Sequence, residues 1–422
     1  MKRLVYIAAS ILVCSAGWLL YSSTSASKPN IVLVVIDTLR ADKLGLYGHP
    51  SPASRELDTL ATQGVFFQRA ISQASWTRSS MASLLTGRYP RRIPLLKEKW
   101  DKLPLDELSL AETLQEVGYT TVGLTANPQL NRDFNFEQGF TEYVESSVTF
   151  GWMKKSPGKK KARGKIRVKS APEMLERATE IVDVLYDGTA PLYLQLLLMD
   201  VHAHHRIEED EIDEDLRDYP DRQYLQAVRN ATAPLADFIK SMKQKLGENT
   251  IFIVTSDHGE GLRDHPSVSG SNRHGNLLYG SHVHVPLLFL GNQDLVGVHG
   301  ARAQLVELID VYPTLASVAG ARVPKVMDGQ SLISIFRNPK EEQIDSLGFS
   351  ETRWRKRVAK QVVTDGRWMY IESKDDWEGT SPKELQTFGE LQDGASTNVL
   401  TDYPEQAKRL EGLLNQIRNM LL

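Results

Sequence analysis

The stretch Asn30-Ile31-Val32-Leu33-Val34-Val35-Ile36-Asp37 governs how the rest of the chain is read. An unbroken apolar run dominated by β-branched residues fits a strand buried on both faces, the texture of a parallel sheet. Runs of the same kind recur at Thr120–Leu124, Leu192–Leu198, Thr250–Thr255 and Val285–Leu290. Between them, apolar residues at helical spacing predict helices over Leu108–Val117, Pro172–Tyr186, Tyr224–Leu246 and Leu305–Ala319. Gly118, Gly247 and Gly320 stand at three of the predicted ends. Strands alternating with helices predict an α/β fold, a doubly wound, mostly parallel sheet flanked by helices, over residues 28–338. Past Pro339 the texture changes. A hairpin is predicted over Gln361–Ile371 about Asp365-Gly366 and a closing helix over Glu405–Leu421, giving a small C-terminal α+β subdomain at 339–422.

The polar residues fall where such a sheet would use them, because open α/β sheets bind ligands beyond the carboxyl ends of their strands. The first predicted strand runs into Asp37, the second into Asn127, the third into Asp200 and His202, and the fourth into Asp257 and His258. Asp and Asn are ordinary turn formers, so one such ending means little. Four that the fold should bring together point to a site. Eight of the ten histidines lie between His202 and His284, a concentration that suits metal ligation and proton transfer. A nucleophile is offered by Ser75-Trp76-Thr77-Arg78-Ser79-Ser80, whose hydroxyls precede a short helical pattern ending at Gly87. A helix N-terminus favours bound phosphate or sulfate. Taken alone, Thr77 or Ser79 reads equally well as an N-cap.

Composition bounds the chemistry. The length of 422 residues fits one large domain with an appendage, and the 41% hydrophobic content fits a globular body. Net charge is −3 and offers no footprint for nucleic acid. Cys14 is the one cysteine, so a cysteine nucleophile, a zinc finger and an iron–sulfur cluster are excluded. Lys2 and Arg3 precede the apolar run Leu4–Leu20 and a small polar exit, so residues 1–27 read as a signal peptide or membrane anchor. Either places the body outside the cytoplasm, secreted or attached to the membrane through its N-terminus. Lys154–Lys169 carries nine Lys or Arg and no acid, while Glu208–Asp221 carries nine acids and one Arg. Both read first as solvated, mobile loops. The basic one also suits anionic lipid headgroups or a polyanionic substrate.

Asn30–Asp42, Thr77–Gly87, Thr255-Ser256-Asp257-His258-Gly259-Glu260, His274-Gly275 with Val285-Pro286, and Ile309–Thr314 with Asp328-Gly329 together resemble the sulfatase family of the alkaline phosphatase superfamily. The resemblance runs in order from about Pro29 to the C-terminus. It implies that Asp37, Asp257 and His258 hold one divalent metal ion with Thr77, the nucleophile, on the same ion. It further implies His202 in anion binding or leaving-group protonation, His274 as the other acid, Asn127 toward a phosphoryl oxygen, and His284 either at the anion or packed in the core. His204, His205 and His265 are left as loop residues. Thr38 stands where the family carries a second Asp, so two carboxylates, an imidazole and an alkoxide favour Zn or Mn over Ca.

The departures bear on the chemistry. The family's Cys-x-Pro-x-Arg pattern supplies a formylglycine; here Thr77, Ser79 and Met81 occupy those places. Oxidised threonine would give a ketone rather than an aldehyde. Threonine resembles instead the phospho-branch of the superfamily, in which the alkoxide attacks phosphorus. This places a phosphodiesterase or phosphoryl transferase acting on lipid or glycan phosphate esters ahead of a sulfuric-ester hydrolase without formylglycine. A non-catalytic binding protein of the same fold is the third reading.

Overall fold

The computed structural model describes residues 28–93, 101–146, 169–268, 270–292, 296–338, 346–353, 359–374, 380–388 and 398–421. The N-terminal apolar segment and nearly all of the Lys154–Lys169 block lie outside them. Among the described residues no helix is long and apolar enough to cross a membrane.

The strands are β1 (Asn30–Ile36), β2 (Val65–Ile71), β3 (Thr120–Thr125), β4 (Glu142–Val144), β5 (Leu192–Leu198), β6 (Thr250–Thr255), β7 (His284–Val285), β8 (Leu287–Gly291) and β9 (Gly300–Glu307). They form one sheet in the order β4-β3-β5-β1-β6-β8-β2-β7, with β9 on β2. Strand β1 lies between β5 and β6, parallel to both, with Ile36 opposite Leu198 and Val35 opposite Thr255. Every residue of β1, β5 and β6 is buried, which is why their sequences read as apolar runs, broken in β5 only by Gln195. Burial of each large aliphatic side chain contributes about 1.5–3 kcal/mol, so this trio anchors the fold.

Two groups of helices flank the sheet. Ala171–Leu185 packs with Arg222–Leu246, and Thr77–Thr86 packs with Leu110–Glu116 and Val311–Val318. The arrangement is the doubly wound α/β fold expected. Three expectations are corrected. The helix expected over Leu305–Ala319 is the end of β9 followed by a helix over Val311–Val318 only. The run Val285–Leu290 is broken at Pro286, which lacks the N–H that a continuous ladder needs. The acidic stretch 208–221 is not a bare loop: its 3-10 turns Glu209–Glu211 and Glu214–Leu216 are tied by Arg222 to Glu209 and by Arg229 to Asp213 and Asp215.

A second, antiparallel sheet follows, β10 (Gly348–Thr352), β11 (Lys360–Thr364), β12 (Trp368–Ser373) and β13 (Lys383–Thr387), in sequence order. The expected hairpin is β11–β12. The helix Pro404–Met420 lays Ala407, Leu410, Leu414 and Ile417 against this sheet, a 3–4–3 spacing that keeps one face inward. Strand β10 then ties the second sheet to the first body. Ser350 Oγ donates to the Ser72 carbonyl, and the Glu351 amide donates 2.9 Å to the Gln73 carbonyl. Those residues lead directly into Thr77.

Candidate active site

The parallel strands deliver the site residues at their carboxyl ends. Asp37 follows β1, Asn127 follows β3, His202 follows β5, and Asp257 and His258 follow β6. Thr77 is the first residue of the wholly buried helix Thr77–Thr86, which ends where Gly87 takes φ 66°. Ser80 Oγ fastens this helix to the Asp257 carbonyl.

Asp37, Asp257 and His258 each bring one donor atom within 4.8 Å of the others, and all three side chains are fully buried. His258 Nδ1 pairs with the Gly259 carbonyl at 2.8 Å, and since a carbonyl only accepts, that nitrogen carries the proton. Nε2 is left as a lone pair, 3.3 Å from Asp257 Oδ2, 3.9 Å from Asp37 Oδ1 and 3.4 Å from Thr77 Oγ1. Asp257 Oδ1 accepts from the amides of Thr38 and His258. Asp257 Oδ2 and Asp37 Oδ1 are buried with no protein partner. Two carboxylate oxygens without hydrogen-bond partners converge with an imidazole lone pair that faces the Thr77 hydroxyl, a donor set that fits a divalent cation.

The electrostatics agree. Burial, with Asp257 beside it, raises the Asp37 pKa, and burial lifts Asp257 to about 6. Burial holds His258 down to about 4, so its imidazole is neutral, as a ligand must be. Thr38, at φ 63°, turns the chain sharply after Asp37. The strain of a β-branched residue there is held by its carbonyl accepting from Tyr224 Oη at 2.7 Å. Tyr224 and Glu260 were not singled out from sequence. An acid three residues beyond Asp257 was the available sign for Glu260; nothing in the sequence marks Tyr224.

Thr77 Oγ1 is 3.4 Å from Asp37 Oδ2 and 3.3 Å from Asn127 Nδ2. Asn127 also donates to Asp37 Oδ2 at 2.6 Å, so its amide ties the hydroxyl to Asp37. Beside His258 lies the His274 ring, centroids 4.7 Å apart, with His202 5.1 Å beyond. Burial disfavours a cation at His274, yet Glu260, 2.9 Å from its Nδ1, pushes the pKa up to about 9. Burial dominates at His202 and takes it to about 4. One neutral and one readily protonated imidazole therefore stand side by side, the separation that lets neighbouring groups act as anion contact and acid. His284 takes the packing place instead. Its Nε2 meets the Gln68 carbonyl at 2.9 Å, and its ring lies against Phe388 and Tyr47. Asp200 accepts from the Ala171 amide and so helps cap the helix Ala171–Leu185 that precedes its own strand.

Comparison with known proteins gives this geometry its context. The chain matches arylsulfatase K of Mus musculus at 28% identity over 46% of its own length and 35% of the relative's. It matches N-acetylgalactosamine-6-sulfatase of Rattus norvegicus at 29% over 74% of itself and 67% of the relative. The fold superposes on a phosphonate monoester hydrolase of Agrobacterium radiobacter with TM-score 0.71, 17% identity and coverage of 93% and 96%. It also superposes on Ps i-CgsB in complex with k-i-k-neocarrahexaose, with TM-score 0.67, 20% identity and coverage of 92% of both chains. The family model for sulfatase fits residues 29–321, a span that includes Asp37, Thr77, Asn127, His202, Asp257, His258 and His274, and the chain therefore belongs to the sulfatase family.

Proposed function

We propose that this chain is a metal-dependent hydrolase or transferase of phosphate esters that works through a covalent intermediate on Thr77. The observation that carries the reading is the position of Thr77 Oγ1, at the head of a buried helix and within 3.4 Å of Asp37, Asn127 and His258 together. Asp37, Asp257 and His258 would hold the ion, Zn or Mn by the donor set, with Ca the poorer fit. When bound, it offsets the two buried carboxylates and makes a neighbouring hydroxyl easier to deprotonate.

The protein's own groups account for the remaining steps. Asn127 orients the Thr77 hydroxyl, and its amide is placed to meet an equatorial oxygen of the reacting group. The helix N-terminus favours the anion. His202, neutral, serves as a contact for the ester oxygens. His274, protonated through Glu260, delivers its proton to the departing oxygen as the bond to phosphorus breaks. The Thr77 oxygen, its proton released to solvent, forms the new bond to phosphorus; water or a second hydroxyl, giving its proton to the now neutral His274, then takes the group from phosphothreonine, and the freed Thr77 oxygen regains a proton from solvent.

A second reading is kept because the matched relatives are named as sulfatases. Sulfate-ester hydrolysis by an unmodified Thr77 would use the same residues. The substrate class in view is a lipid or glycan phosphate or sulfate ester outside the cytoplasm. That placement, with membrane attachment or secretion, rests on residues 1–27. The test is residues 28–422 loaded with Mn or Zn and given p-nitrophenyl phosphomonoester, phosphodiester and sulfate side by side, with Thr77→Ala as control. Diester turnover lost in the variant supports the phospho reading. Sulfate turnover lost in it supports the second. Metal binding without turnover of any of the three would leave the binding-protein reading.

A further inference from the structure

His274 sits on a segment with neither helix nor strand among its described residues, 261–268 and 270–279. A side chain on such a loop is only as well placed as the anchors of its backbone. Two anchors stand on either side of it. His282 Nε2 meets the carbonyl of Arg273, the residue before, at 3.1 Å. Thr352 Oγ1 donates to the carbonyl of Gly275, the residue after, at 2.7 Å. Glu260 holds the ring itself.

Neither anchor residue touches the reacting groups. His282 is fully buried, and its Nδ1 lies 3.0 Å from Ser281 Oγ. The Arg273 carbonyl can only accept, so Nε2 carries the proton and Nδ1 accepts from the serine. The same turn receives the Gly259 amide on the His282 carbonyl and the Glu260 amide on the Ser281 carbonyl. It therefore pins the stretch bearing His258 beside the stretch bearing His274 within one irregular segment. The segment folds back on itself so closely that a Cβ on Gly261 would collide with the Ser271 and Arg273 carbonyl oxygens. Thr352 comes from the other side, as the last residue of β10 in the second sheet.

We propose that His282 and Thr352 are positioning residues that fix His274 by gripping the carbonyls flanking it, so that the second sheet takes part in the reaction without touching substrate. The proposal rests on the reading of His274 as leaving-group acid. Its test separates the two. An aryl ester such as p-nitrophenyl departs without a proton, whereas an alkyl ester of the same acid needs one.

Thr352→Val and His282→Leu are expected to lower kcat on the alkyl ester by about 10–100-fold, a misplacement effect, with the aryl ester changed by less than about 3-fold. Thr352→Ser and His282→Gln restore the donor and are expected to restore the alkyl ester. His274→Ala, if it shows the same leaving-group selectivity while Thr352→Val and His282→Leu show none, overturns the positioning role alone. If His274→Ala shows no selectivity, the acid reading falls. The positioning role is then decided by protein carrying 13C at the histidine ring Cε1, with the His274 signal identified by its loss in His274→Ala. One sharp signal in the native protein and Thr352→Ser, shifted or broadened in Thr352→Val, supports the proposal. A signal unmoved in Thr352→Val and His282→Leu overturns it, whatever the activities.

Discussion

Among the buried acidic side chains, two neighbouring pairs are finished in opposite ways. Glu307 and Asp310 lie where β9 meets the second sheet. Glu307 Oε1 accepts from the Phe349 amide and Gln73 Nε2, and Oε2 accepts from Tyr89 Oη at 2.6 Å. Asp310 accepts from the amides of Glu307 and Gln330. Asp37 and Asp257 are as deeply buried, yet each keeps one oxygen with no protein partner. Burial raises all four pKa values. The first pair is completed by protein donors and locks two sheets together. The second keeps two oxygens without hydrogen-bond partners beside His258 and Thr77, the arrangement that the proposed cation and nucleophile would use. Full hydrogen bonding marks a structural acid, and a convergent lone-pair surplus marks a ligand.

The largest expected effect breaks the ligand pair. Asp257→Asn should lower turnover by about 10³-fold or more, and metal content measured after dialysis should fall from near one per chain to near zero. Retained metal would mean that Asp257 is structural like Asp310. Stability should move the other way. In metal-free protein at pH 8, above the raised pKa of Asp257, the Asn variant should melt higher than the parent because it lacks a buried charge. Added Mn or Zn at 100 times its Kd should stabilise the parent by about 2.7 kcal/mol and the variant not at all.

The structural pair should be read by pH. Glu307 has a folded pKa of about 8, above its ordinary 4.5, through burial and then Asp310. The folded state thus keeps the proton longer. Its contribution is fully present below pH 4.5 and is lost as pH rises through 8, by on the order of 5 kcal/mol. Urea melts of Glu307→Gln across that window should show a flatter profile than the parent. An identical slope would move the pH dependence elsewhere. The smallest effect belongs to the exposed acids. Arg229→Ala, which frees Asp213 and Asp215 at the surface, should cost about 0.2–1 kcal/mol in the same melts.

Legibility followed burial. β1, β5 and β6 were visible because both their faces are covered, leaving a continuous apolar record. β2 and β9 were not, since Gln68, Arg69 and the polar residues of Gly300–Glu307 interrupt any run. The Leu305–Ala319 stretch read as helix because its apolar residues satisfy a helical period across what is a strand end, a 3-10 turn and a helix. Asp37, Thr77, Asn127, His202, Asp257 and His258 were legible because strand ends and one helix start place them, and local sequence fixes both.

The chain alone determined the parallel core and which polar residues stand at its strand ends, a matter of residue type and local periodicity, while the ligand and nucleophile roles proposed for them came from the family resemblance. Tertiary structure decided between identical imidazoles. His274 lies against the His258 ring with Glu260 on its Nδ1, while His284 packs between Tyr47 and Phe388. No local pattern separates them, because a loop histidine takes its direction and its charge from residues distant in sequence, here Glu260, His282 and Thr352.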